Sequence, residues 1–147
     1  MKRTVILLLS VMFLLGACGN KEGMEVSDIW ARTSTQGTNS AVYFVIQNHT
    51  GMTDELIGAA SDSAEAVEIH ESRMEGDVMT MSRVSSVVLD PAAKVEFTPG
   101  GLHIMLVNLK QDLKAGDEIQ VTLQFKNSPD ITLTATAREA TEMNMNN

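Results

Sequence analysis

One cysteine among 147 residues leaves no partner for an intrachain disulfide, so burial and strand pairing must hold the fold. Positive charge is scarce. The chain has 11 Lys and Arg against 19 Asp and Glu, a formal net charge of -8, which argues against direct contact with nucleic acid or anionic lipid headgroups. Such a balance keeps a protein soluble and suits a basic partner. The N-terminal apolar run, Thr4 to Leu15, falls short of the roughly 20 residues of a spanning helix. There is no G-x-S-x-G elbow, no glycine-rich phosphate loop and no H-E-x-x-H helix, so no enzymatic activity is expected. No internal repeat and no long segment of helical period interrupts the body, whose length suits one domain.

What is present begins with a processing signal. Lys2 and Arg3 precede the apolar run, as in a secretion signal spanning residues 1–17. The run ends in Leu15-Gly16-Ala17-Cys18, which resembles a bacterial lipobox, so Cys18 is expected to become the lipidated first residue. Removing residues 1–17 would take away Lys2 and Arg3 and no acid, moving the charge from -8 to -10. Membrane association would then rest on acyl chains alone, placing an anchored lipoprotein outside the cytoplasm. Residues 18–25 read as the lipidated cysteine and a polar tether, and 139–147 as a flexible tail carrying Met143 and Met145. Lipidation removes the sole thiol from metal chemistry, and with it the thiolate that a blue-copper electron carrier needs.

Residues 26–138 show short β-rich runs: 26–33, 41–47, 66–71, 78–84, 87–89, 95–97, 103–107, 119–125 and 131–137. Turn-forming clusters such as Asn48-His-Thr-Gly51, Pro99-Gly-Gly101 and Asn127-Ser-Pro-Asp130 separate them. The expected fold is all-β, an antiparallel Greek-key β-sandwich.

Four residues carry chemistry. His70, Met81, His103 and Met105 form the pattern H-x10-M-x21-H-x-M. Neutral imidazole and thioether sulfur suit monovalent copper, and thioethers survive an oxidising compartment in which thiols become disulfides. With 10 Met and 3 His in the chain, an accidental match to this spacing is expected about 3 times in 10,000. Alternation in Leu102-His-Ile-Met-Leu106 sends Leu102, Ile104 and Leu106 to the core and leaves His103 and Met105 together on the other face. Val67 and Ile69 likewise turn Glu68 and His70 outward. Residues 70–81 read as a hairpin with its turn at Glu75-Gly76 or Gly76-Asp77; the first choice sets His70 directly opposite Met81. Met74 and Met79 read as packing or spare residues, and His49, in a turn without a methionine at useful spacing, stays outside the set.

The motif resembles that of the periplasmic copper(I) chaperones called PCuAC. So do Val26-Ser-Asp-Ile-Trp-Ala-Arg32, Val67-Glu-Ile-His-Glu71, Val78-Met-Thr-Met81 and Pro99-Gly-Gly-Leu-His-Ile-Met-Leu106, in the family's order, within about residues 24–138. The resemblance implies a cupredoxin-like β-sandwich that carries Cu(I) outside the cytoplasm to respiratory oxidase copper centres. A copper domain of the oxidase or a Sco-type assembly protein would be the acceptor, and a monomer the expected state. A copper-buffering lipoprotein with no dedicated recipient fits the same residues.

Overall fold

Strict alternation decides most of the local structure. In Glu118–Phe125, Ile119, Val121, Leu123 and Phe125 are buried, while Glu118, Gln120 and Gln124 face water, the period of a half-buried strand. The computed structural model describes residues 22–139; the signal run, Cys18 and the methionine tail lie outside the described residues. Ten strands follow in order: β1 Met24–Arg32, β2 Ser40–Asn48, β3 Asp54–Ala60, β4 Ala64–Glu75, β5 Val78–Arg83, β6 Val87–Leu89, β7 Lys94–Phe97, β8 Leu102–Leu109, β9 Glu118–Phe125 and β10 Ile131–Arg138. No helix among the described residues is long and apolar enough to cross a membrane.

The strands run β5-β4-β8-β2-β1-β10-β9-β3-β6, with β7 pairing β2. Core residues come from both halves of this order, including Ile69, Ile104 and Val42 from one and Leu123, Leu56 and Ala135 from the other. The two halves therefore face each other as layers of a sandwich around one core. Phe44 and Phe97 stack within it, ring centroids 4.2 Å apart. The pairings are antiparallel except one: β1 and β10, the strands that join the halves, run parallel, with Trp30 beside Thr136 and Arg32 beside Arg138. A parallel pair needs a long crossover, and here nearly the whole chain supplies it.

Several strands run longer than the sequence suggests, β4 most of all, at Ala64–Glu75 against the expected 66–71. β1 starts at Met24, paired with Asn48, two residues before the expected 26. β3 was not among the expected runs. Asp-Glu-Leu-Ile-Gly-Ala-Ala lacks the β-branched and aromatic density of a strand, but Leu56 is fully buried and pairing with β6 and β9 holds it. At Gly58 a Cβ would come within 2.7 Å of the Gln124 side-chain oxygen, the far end of a flexible, exposed side chain.

A bulge in β1 matters for what lies outside the core. Register shifts between Ser27 and Trp30, and Asp28 takes a φ of 53°. Val26 packs on the core, and unbroken alternation would send Trp30 inward as well. The extra residue instead buries Ala31 in the core and turns Trp30 to the opposite face.

Candidate metal centre

The two outer faces of the sandwich differ in kind. Across β9 and β10 the outer face is a polar lattice, with Thr122 bonded to Thr132 at 2.8 Å and Gln120 to Thr134 at 2.7 Å. Across β1, β2, β8, β4 and β5 it carries a row of rings and charges instead. Trp30 pairs with Tyr43, His103 with His70, and His70 with Arg83. Ring centroids follow the row: Trp30 to Tyr43 4.5 Å, Tyr43 to His103 6.3 Å, His103 to His70 5.9 Å. Trp30, Ala41 and Tyr43 form a small buried cluster of their own.

Met105 and Met81 stand on either side of this row, on the same face. Met105 lies two residues along β8 from His103 and pairs with Glu68 and Ala41. Met81 pairs with Ser72, two residues along β4 from His70. A cavity of about 220 Å³ is lined by Met79, Met81, His103 and Met105, together with Arg32, Ala41, Tyr43, Ser72, Pro99 and Gly100. His70 flanks this cavity in ring contact with His103 rather than forming its wall. The structure thus gathers all four sequence-predicted residues on one face. His49 lies elsewhere, its Nε2 3.0 Å from the Glu25 carboxylate.

The hairpin register differs from the first choice. Glu75 pairs with Val78, so Gly76 and Asp77 form the turn, and His70 faces Arg83 rather than Met81. Gly76 has a φ of +66° while Asp77 is not among the positive-φ residues, the pattern of a type II′ turn with glycine at its first central position. A turn at Glu75-Gly76 would have forced Glu75 into that conformation. Moving the turn by one residue shifts every pair by two, so Met81 keeps its face and becomes the diagonal neighbour of His70, within reach of a long side chain.

His103 differs from expectation too. It does point away from the core, but at 4% exposure it is buried beneath its neighbours on the second face. Burial, first of all, holds its pKa below the usual histidine value; nearby His70 and Arg32 act in the same direction, and the Gly101 carbonyl opposes them. The neutral imidazole, the form that ligates metal, is thereby favoured.

Each histidine has one nitrogen committed. Nδ1 of His103 lies 3.0 Å from the Gly101 carbonyl oxygen and must donate to it, leaving Nε2 with a lone pair. Nε2 of His70 lies 2.8 Å from the Glu68 carboxylate, so it carries the proton. That leaves Nδ1 of His70 with the lone pair, and this atom is buried with no hydrogen-bond partner. A buried, unpartnered nitrogen is costly, and a metal ion is one remedy. Glu68 is in turn gripped by Arg83 at 3.2 Å. The hydrogen bond from His70 chiefly keeps the Glu68 carboxyl below the usual range; burial, the next largest effect, opposes it, and the charge of Arg83 adds to the lowering. Carboxylates that fix the tautomer of a ligating histidine are a recurrent feature of metal sites.

Glu68, Arg83 and the Gly101 carbonyl were not picked out by the motif. Glu68 was legible in principle, because strand alternation sets it two residues from His70 on the same face. Arg83 depended on the hairpin register. Among the described residues no group of three or more His, Cys, Asp or Glu could hold a metal. The cavity itself is lined by His103 and the thioethers of Met79, Met81 and Met105, with His70 beside it, a soft set that suits a monovalent ion.

Comparisons with known proteins show what the chain is similar to. The family model described as "Putative lipoprotein LpqE-like" matches residues 24–137. A Leifsonia xyli subsp. xyli protein with the same kind of lipoprotein designation, Lxx21020, is 34% identical over 105 residues, which cover 71% of this chain and 63% of that protein. Protein RP573 of Rickettsia prowazekii, named as uncharacterized, is 38% identical over 101 residues, covering 65% of this chain and 56% of its own length. The chain thus spans about three fifths of the length of these curated relatives. Among solved structures, the copper-bound PCuAC domain from PmoF2 superposes with a TM-score of 0.67 at 25% identity, covering 79% of this chain and 92% of that domain.

Proposed function

The chain belongs to the LpqE-like family, and from that premise we propose that it is an extracytoplasmic copper(I) chaperone, anchored through Cys18, that holds one Cu(I) with His70, Met81, His103 and Met105. The observation that carries the reading is the buried, unpartnered Nδ1 of His70, in a ring 5.9 Å from that of His103 on the face that carries both methionines. Two imidazoles locked in ligating tautomers and two thioethers favour Cu(I) over harder ions. Likeness to a copper-bound PCuAC domain supports the same cargo.

The acceptor we propose is a copper centre of respiratory oxidase, or a Sco-type protein that assembles it. Met81 is 53% exposed, so an incoming ligand can displace it first, while buried His103 releases last. Copper(I) can then pass by stepwise exchange without becoming free. The test is a stopped-flow transfer rate measured against acceptor concentration. A rate that rises with acceptor and exceeds the rate of loss to a chelator is expected. A rate fixed at that of simple dissociation would contradict delivery and leave only storage.

A further inference from the structure

The β4–β5 hairpin carries more sulfur than a four-ligand site uses. Met74 and Met79 are direct cross-strand partners, and Met81 follows Met79 by two residues on the same face. Their exposures are 60%, 54% and 53%, so none of the three fills the core. β5 is also the first strand in the sheet order, an edge, where exposed apolar residues invite association and are usually replaced by charge. Three thioethers in this place call for a role other than burial. Met79 supplies the link, since it lines the same cavity as Met81, His103 and Met105.

We propose that Met74, Met79 and Met81 form a second, weaker copper(I) site at the hairpin, a way station through which the ion reaches and leaves the histidine site. This deepens the chaperone reading above and rests on it. Directly opposed residues have Cβ atoms about 4.5–5.5 Å apart, and residues two apart on a strand lie about 7 Å apart. Both spans are within reach of paired, flexible methionine side chains closing on one ion. Three neutral thioethers form a soft, proton-free donor set that selects Cu(I). Acidic Glu75 and Asp77 at the same tip add favourable field for a cation.

Met81 belongs to both sets, which gives the passage its mechanism. The ion keeps the Met81 sulfur while Met74 and Met79 are exchanged for the imidazoles and Met105. Copper stays monovalent throughout.

The test uses the full chain with 13C-labelled methionine ε-methyl groups, titrated anaerobically with copper(I). The Met81 and Met105 methyl signals are expected to move with the first equivalent; with the second, those of Met74 and Met79 move and that of Met81 moves again as its sulfur is drawn between the two ions. In Met74→Leu, an exposed and nearly isosteric change at a residue outside the cavity wall, the first equivalent should bind as before and the second should be weakened at the hairpin. Met74 and Met79 signals that stay fixed through two equivalents, while Met81 and Met105 respond, would overturn the way station and leave the histidine site standing. Movement of all four together in the first equivalent would also overturn it, by showing one site. If none of the four moves, the copper(I) reading itself falls, and this inference with it.

Discussion

Single residues decide how well the second face is prepared for an ion. Glu68 does not itself line the cavity, but it fixes which nitrogen of His70 is free, and outer partners of this kind typically matter 10- to 100-fold in metal affinity. Glu68→Gln should therefore weaken copper(I) binding about 10-fold with little change in the unfolding midpoint, since the carboxylate is partly exposed; chelator competition and a thermal melt on the same samples check both halves. Asn48 plays the corresponding structural part. It is fully buried, its Nδ2 donates to the Met52 and Leu89 carbonyls at 2.7 and 2.8 Å, and its Oδ1 accepts from Thr50. Asn48→Leu would strand these groups at a cost of about 1–3 kcal/mol for each one left without water, and urea unfolding should show a clear loss of stability with copper(I) affinity kept. The turn-forming cluster Asn48-His-Thr-Gly51 announces the local half of this role, the bonds to Thr50 and Met52, whereas the bond to Leu89 in β6 forms only on folding.

At the scale of elements, the hairpin and β3 show where sequence reading reached its limit. Alternation placed His70, Met81, His103 and Met105 on one face, because a period of two is local and robust. Which residues sit opposite each other depends on turn chemistry, and there only the φ of Gly76 decided between two adjacent turns. Gly76→Ala puts a Cβ into that left-handed conformation, with open space around it but backbone strain of about 1 kcal/mol. A loss of about that size in chemical denaturation is expected, and a stability equal to wild type would argue against the type II′ turn. β3 escaped recognition because its glycine and alanines make a weak strand on their own. Its first residue, Asp54, anchors the distant β9–β10 turn by accepting backbone N–H bonds from Asn127 at 3.0 Å and Ser128 at 2.8 Å. Burial opposes its ionisation, but the bonds from Ser128, Glu55 and Asn127 outweigh it and hold the carboxyl below the usual range. A carboxylate with a depressed folded-state pKa stabilises above its unfolded value of about 3.9 and loses that contribution as pH falls through the folded value. The stability gap between wild type and Asp54→Asn should accordingly be largest near neutrality and shrink below about pH 4 in denaturant titrations.

The whole molecule separates stability from chemistry by giving each its own face of one layer. Ile104 and Leu106 fill the core while His103 and Met105, alternating with them along the same strand, face the other way. The all-β class and the one-sided placement of the four residues were legible in the sequence. The parallel closure of β1 on β10 was not, because it joins strands from the two ends of the domain. Nor was the burial of His103, whose ring lies between those of Tyr43 and His70 on neighbouring strands. With the core on one face and the ligands on the other, ligand and core substitutions should act independently.

That separation makes one measurement decisive for the central claim, that the second face is a copper(I) site built from both methionines and both histidines. Copper(I) affinity is measured by competition with a chromogenic chelator for wild type and for Met81→Leu/Met105→Leu, which keeps side-chain volume while removing both sulfurs. The expected result is one tightly held ion in wild type, and a variant that melts within a few degrees of it but binds more weakly by at least the roughly 100-fold ceiling for losing an outer partner. A variant that folds normally and competes for copper(I) as well as wild type would contradict the site.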